Sequence, residues 1–250
     1  MQRITEAFKK AKRENRGAFV AYVTMGYPTL EQSERAVDDI IAEGADIIEL
    51  GVPFSDPFAD GGVIRTAAYK ALEQGVTIND VIASAARLRE RHPDTAFVLF
   101  SYYNLIYSMG LENFAREAAR AQIDAVLPVD LPYEERNELL SVIAPRGISF
   151  VPLIAPNTTL ERVKAFEKGL DNTFLYVITV KGTTGERKNL PPDLAARLEE
   201  IRSLTHLPIA AGFGISTREQ ALEVCKHADG FVVGSRIVKC LSEGRKPCLS

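Results

Sequence analysis

Apolar residues fall along this chain in short blocks that alternate with longer amphipathic stretches. Residues 19–24 form one such block; a Gly-Tyr-Pro turn follows at 26–28, and from Leu30 to Glu43 the apolar positions Ala36, Ile40 and Ile41 recur at helical spacing. A short apolar block bounded by turn residues predicts a strand buried on both faces, and a recurrence near 3.6 residues predicts a helix packed along one side. The same unit returns. Strands are predicted at 46–51, 96–100, 125–130, 149–155, 174–180, 208–212 and 230–233. Helices are predicted over 63–72, 79–91, 111–121 and 134–143, with a helix start at the Pro-Asn-Thr-Thr cluster of 156–159. Ahead of all of them, residues 2–14 place Ile4, Phe8 and Ala11 on one face, as in a helix that plugs or flanks the main body.

About eight strands alternating with helices suit either a closed parallel barrel or a doubly wound sheet. The length of 250 residues favours the barrel, and no GxGxxG string follows the first strand. No linker or low-complexity stretch divides the chain, so a single domain over 1–250 is expected.

With 46% hydrophobic and 25% charged residues the chain can bury one large core, and its net charge of −3 provides no basic field for nucleic acid or anionic membrane. An anionic ligand therefore needs a local site. Cys225, Cys240 and Cys248 form no CxxC pair, and His92, His206 and His227 are scattered, so no structural metal is expected. The N-terminus is charged and lacks the apolar core of a signal peptide, which points to a cytoplasmic protein.

The densest chemistry lies at 46–62. Glu49 sits inside an apolar strand, where it must lose water, and the loop after it carries Pro53, Asp56, Pro57, Asp60, Gly61 and Gly62. Glu49 in a buried ion pair, with Asp56 and Asp60 serving turns, is the structural alternative to an acid–base pair at a strand end. Glycine-bearing strand ends at 211–217 and 233–235 lead into predicted helix starts, a favourable place for a phosphate. Aromatic residues gather at strand ends as well: Tyr22, Phe100, Tyr102, Tyr103, Tyr176 and Phe213. Together with Glu49 they suggest a pocket for a flat apolar group carrying a phosphate tail. The polar Gly/Thr loop at 181–189 has the composition of a closing lid or of a mobile connection.

The string IELGVPFSDPFADG at 48–61 resembles the signature of the tryptophan synthase alpha subunit, and further strings agree in order: FVAYVTMGYP at 19–28, SYYN at 101–104, VDLP at 129–132, GTTG at 182–185, GFGIS at 212–216 and ADGFVVGS at 228–235. The resemblance implies an α/β fold, a single (β/α)8 TIM barrel with an extra N-terminal helix. It implies cleavage of indole-3-glycerol phosphate to indole and glyceraldehyde 3-phosphate, with indole passed to a beta subunit in an α2β2 complex. No cofactor is expected in this chain; pyridoxal phosphate belongs to the partner. By motif match Glu49 is the acid/base carboxylate and Asp60 the second catalytic carboxylate, with Thr184 on the lid steadying it. Gly185, Gly214, Gly234 and Ser235 would hold phosphate, Tyr22, Phe100, Tyr176 and Phe213 would line the indole pocket, and Pro53, Asp56, Pro57 and Asn104 would face the partner. Glu49, desolvated, is expected to carry a raised pKa, and Asp60, on a wetter loop, to stay ionised.

Several positions depart from the family pattern: Phe58 stands for a leucine, Gly62 and Leu105 for prolines, Arg65 for a glutamine and Arg236 for a small residue, and the chain ends where the family usually adds a helix. These changes leave the two carboxylates untouched but partly alter the loops at 53–62 and 101–106, which face the beta subunit in the family, and place Arg236 beside the phosphate loop. They motivate two alternatives, a stand-alone lyase and a catalytically weakened barrel acting as an allosteric binding partner.

Overall fold

The computed structural model of the chain describes residues 2–166, 169–178, 193–212 and 214–247. Nine strands form one parallel sheet among these residues: β1 (Ala18–Thr24), β2 (Ile47–Gly51), β3 (Ala96–Ser101), β4 (Ala125–Pro128), β5 (Ser149–Phe150), β6 (Leu153–Ile154), β7 (Leu175–Ile178), β8 (Ile209–Gly212) and β9 (Gly230–Val233). Their spatial order is β5-β4-β3-β2-β1-β9-β8-β7-β6. The two end strands β5 and β6 belong to one extended segment, interrupted where Pro152 has no N–H for the ladder. Val151 N–H donates to Val126 O at 2.9 Å on one side, and Tyr176 N–H donates to Pro152 O at 3.0 Å on the other. The sheet therefore closes on itself as an eight-stranded barrel, with the strands where the apolar blocks predict them.

The helices are α1 (Arg3–Arg13), α2 (Leu30–Ala42), α3 (Gly62–Glu73), α4 (Ile78–Arg91), α5 (Tyr103–Met109), α6 (Leu111–Arg120), α7 (Arg136–Ile143), α8 (Leu160–Phe166), α9 (Leu194–Arg202), α10 (Arg218–Val224) and α11 (Ser235–Ser242). Of these α5 and α9 are not predicted by the apolar pattern. Side chains alternate between the two faces of each strand. Val20, Ile47, Val98, Leu127, Phe174 and Val232 fill the barrel, while Val23, Ile48, Leu50, Phe97, Leu99 and Val126 pack outward beneath the helices.

Helix α1 closes the N-terminal end. Its Ile4, Ala7, Phe8 and Ala11 are continuous with the barrel interior, and the Phe8 and Phe174 rings meet at 5.6 Å. Arg3 fixes the helix by pairing with the buried Asp124 carboxylate at 2.9 Å, and Thr5 N–H donates to Asn172 Oδ1 at 3.2 Å. With the barrel plugged from below, a ligand approaches the interior from the C-terminal mouth, where the β-to-α loops gather.

Candidate active site

Glu49 lies on β2 in register with Tyr22 of β1 and Val98 of β3, two positions along from the inward-facing Ile47, so alternation turns it into the barrel. It is completely buried, and neither carboxyl oxygen has a hydrogen-bond partner among the described residues. A buried ion pair with any described residue is thereby excluded. Loss of water, with nothing to offset it, pushes the Glu49 carboxyl up to about 8. An unsatisfied buried polar group costs on the order of 1–3 kcal/mol, which a purely structural carboxylate has no reason to carry.

Asp60 ends the loop after β2. Ser55 Oγ donates to Asp56 Oδ2 at 2.6 Å, Phe58 N–H donates to Asp56 O at 2.9 Å and Asp60 N–H donates to Pro57 O at 3.0 Å, so successive turns deliver Asp60 to the mouth. The expectation of a wet environment is corrected here: Asp60 is only 6% exposed, and burial pushes its carboxyl up to about 6, against the opposing pull of a hydrogen bond from Tyr102. It is still largely ionised at neutral pH. The two carboxyls thus titrate apart, one a proton donor and one a carboxylate between about 6 and about 8.

Tyr22 and Tyr176 complete the lining. Burial raises both phenols well above their ordinary value, Tyr22 with Asp60 as the next contributor and Tyr176 with Glu49, so each tyrosine lies within the field of both carboxylates. Phe100 meets Tyr22 edge to face at 5.0 Å. Glycines make room for the phenols. A Cβ at Gly51 would fall 2.3 Å from the Tyr22 hydroxyl, and one at Gly212 would fall 2.7 Å from that of Tyr176.

The two glycine loops differ more than the sequence suggests. At α10 a Thr217/Gln220 capping box occupies the donors: Gln220 Oε1 accepts from Ser216 N–H at 2.9 Å and from Thr217 N–H at 3.3 Å. Gly214, at φ +85°, answers to a backbone requirement there. Helix α11 instead begins at Ser235 after Gly234 with no side-chain cap, leaving its first turn open to an anion. A Cβ at Gly234 would meet Tyr22 Cβ at an ordinary 3.4 Å. Side-chain packing leaves room for a Cβ at that position.

Thr184, Gly185, Phe213 and the 181–189 loop lie outside the described residues. Of the proposed partner-facing residues Asp56 and Asn104 are exposed, while Pro53 and Pro57 are buried. Exposed instead are Phe58, Val63, Tyr69 and Tyr107, four of the six large exposed apolar side chains among the described residues, all on the loop after β2 or on α3 and α5. Tyr102, whose hydroxyl reaches Asp60, was visible in the sequence only as one more aromatic at a strand end. Among the described residues no group of three His, Cys, Asp or Glu side chains is placed to hold a metal ion, and no helix is long and apolar enough to cross a membrane.

A closed parallel barrel, plugged below and carrying two carboxyls of unequal pKa within an aromatic mouth, defines a barrel enzyme of acid–base chemistry. Comparison with known proteins gives the family. The model of the tryptophan synthase alpha chain family matches residues 8–248, and the chain belongs to that family. It is 42% identical to the tryptophan synthase alpha chain of Aquifex aeolicus over 240 residues, covering 96% of this chain and 91% of the relative. To that of Geobacter sp. strain M21 it is 43% identical over 239 residues, covering 96% and 89%. A solved structure from Aquifex aeolicus superposes with a TM-score of 0.90 at 39% identity, covering 97% of this chain and 92% of the other. Mycobacterium tuberculosis tryptophan synthase superposes with 0.89 at 30% identity, covering 96% and 91%. By family the protein is a lyase of tryptophan biosynthesis.

Proposed function

We propose that this chain is a carbon–carbon lyase cleaving indole-3-glycerol phosphate to indole and glyceraldehyde 3-phosphate, and that it works in the cytoplasm in an α2β2 complex whose beta subunit holds pyridoxal phosphate and consumes the indole. In this reading the chain itself uses no cofactor. The observation that carries it is the pair of carboxyls with separated pKa values at one mouth, Glu49 at about 8 and Asp60 at about 6. Protonated Glu49 gives its proton to ring carbon 3 of the indole, and the ring nitrogen takes on positive charge. Ionised Asp60 accepts a hydrogen bond from the ring N–H and stabilises that charge. Glu49, now a carboxylate, removes the proton of the hydroxyl on the side-chain carbon bonded to the ring. The carbon–carbon bond breaks, its electrons return to the ring, and indole and the aldehyde result.

Tyr22, Phe100, Tyr176 and Phe213 hold the indole, and Thr184 steadies Asp60 from the lid. Gly185, Gly214, Gly234 and Ser235 receive the phosphate, Gly234 and Ser235 at the uncapped start of α11. No observation favours the stand-alone lyase or the weakened barrel. Indole release by the purified chain tests the proposal: kcat/KM should follow a bell with limbs near the Asp60 value of about 6 and the Glu49 value of about 8. Glu49→Gln should lower turnover about 10²–10⁴-fold while leaving binding of a glycerol-phosphate analogue nearly intact. Retention of more than half the activity by Glu49→Gln would overturn the assignment.

A further inference from the structure

Tyr102 stands directly after β3, is almost wholly buried, and makes two hydrogen bonds to the loop after β2. Its hydroxyl accepts from Ala59 N–H at 3.1 Å and donates to Asp60 Oδ2 at 3.3 Å. The acceptor bond fixes the hydroxyl's orientation, so its one proton is directed to the carboxylate. The ring is held from the same loop, stacked on Phe54 at 4.6 Å and met edge-on by Phe58 at 5.4 Å. The backbone is held from a third strand end, because the next N–H, that of Tyr103, donates to Asp130 Oδ1 at 2.5 Å. Asp60 is thus tied through one phenol to the ends of three neighbouring strands.

We propose that Tyr102 is a positioning residue for the lyase reaction, aiming the Asp60 carboxylate at the ligand through its hydroxyl while Phe54 and Phe58 clamp its ring. The proposal rests on the function proposed above, in which Asp60 stabilises charge on the substrate ring. The geometry has a second consequence. A hydrogen bond donated to a carboxylate favours the ionised form, so Tyr102 also keeps Asp60 charged in a site where burial alone opposes charge. The other titratable groups acting on these two residues are Tyr22 of β1, Tyr176 of β7 and Asp130 beyond β4, with Glu49 of β2 sharing the two lining tyrosines.

Tyr102→Phe removes the hydroxyl and keeps the ring in its clamp. In the full chain, the Asp60 carboxyl carbon is followed by NMR against pH with 13C-labelled aspartate, its signal identified by its loss in Asp60→Asn. The Asp60 midpoint should rise by roughly half a unit in Tyr102→Phe, the loss of one charge-assisted hydrogen bond that at 3.3 Å is longer than usual for such a pair. In the indole-release assay kcat should fall about three- to tenfold, more at pH 5.5 than at pH 8, with KM changed less than about twofold. Phe54→Leu, which loosens the clamp and leaves the hydroxyl, should show part of the same rise in midpoint. An unmoved Asp60 midpoint in Tyr102→Phe overturns the proposal whatever the activity. Failure of the wild-type chain to release indole overturns the proposed function instead, since the NMR measurement does not depend on turnover.

Discussion

Glu49 is completely buried and has no hydrogen-bond partner among the described residues, and the fold bears the cost in a way that depends on pH. In the unfolded chain the group ionises from its ordinary 4.5 upward, whereas in the folded chain it keeps its proton to about 8. Its contribution to stability is complete below the lower value and is lost as pH rises towards the higher one. Glu49→Gln ionises in neither state and escapes this loss. Its stability relative to the wild type should therefore climb between pH 5 and pH 8, by up to about 1.4 kcal/mol for each pH unit. Urea titrations at pH 5, 6.5 and 8 measure this directly, and a difference that does not change with pH would mean that Glu49 meets a compensating partner. The loss of water at Glu49 was legible from its place in an apolar strand, but not which face it takes, because that strand is apolar on both. The burial of Asp60 was not legible, because Pro, Asp and Gly make a loop that reads as wet, and the phenol covering it comes from just beyond the end of another strand, 42 residues along.

At the scale of elements, legibility followed the strength of the local pattern. The strands were found because short apolar blocks are bounded by turn or polar residues, and most helices because several buried residues recur on one face, as Val81, Ala85 and Leu88 do in α4. Helix α5 has seven residues and buries only Ile106, too few to show a period, and so it reads as the tail of a Tyr-Tyr-Asn turn. The glycine loops show the opposite failing. Their composition is alike, yet the capping box at α10 uses the donors that α11 leaves available, a difference made by Gln220 several residues downstream. A probe of the proposed phosphate site follows. The Cβ of Gly234→Ala has room beside Tyr22, at 3.4 Å, and should interfere with a ligand drawn close to the backbone. KM should rise about tenfold or more with kcat at saturation little changed, since a remote phosphate is bound alike in ground and transition states. Gly214→Ala does not discriminate in this way, because its left-handed backbone is strained by any side chain. An unchanged KM in Gly234→Ala would move the phosphate away from α11.

The whole molecule is a barrel sealed at one end and bordered at the other by exposed apolar side chains, and in the proposed complex that border is where the beta subunit docks. Phe58 is 69% exposed and Tyr107 is 61% exposed, on consecutive strand-to-helix connections, an arrangement that marks interaction surface more often than chance. Phe58 also presses on Tyr102, whose hydroxyl holds Asp60, so a partner that immobilises Phe58 restrains the Asp60 carboxylate by way of two side chains. Docking energy is then converted into correct geometry at the mouth, and the product, a small apolar molecule, is released against a protein surface instead of into water. Indole formation from indole-3-glycerol phosphate should accordingly rise when the beta subunit of the same source is added, by roughly the 5–150-fold range of ordinary couplings. For binding the linkage is reciprocal: whatever factor the beta subunit adds to the affinity for a glycerol-phosphate analogue, the analogue must add to the affinity of the two subunits. Calorimetric titration with and without the analogue measures both factors. Phe58→Ser, which removes the exposed ring at a position that buries little, should weaken association and reduce the rate gain together. No heat of association and no rate gain in either condition would reject the complex and favour a lyase that works alone.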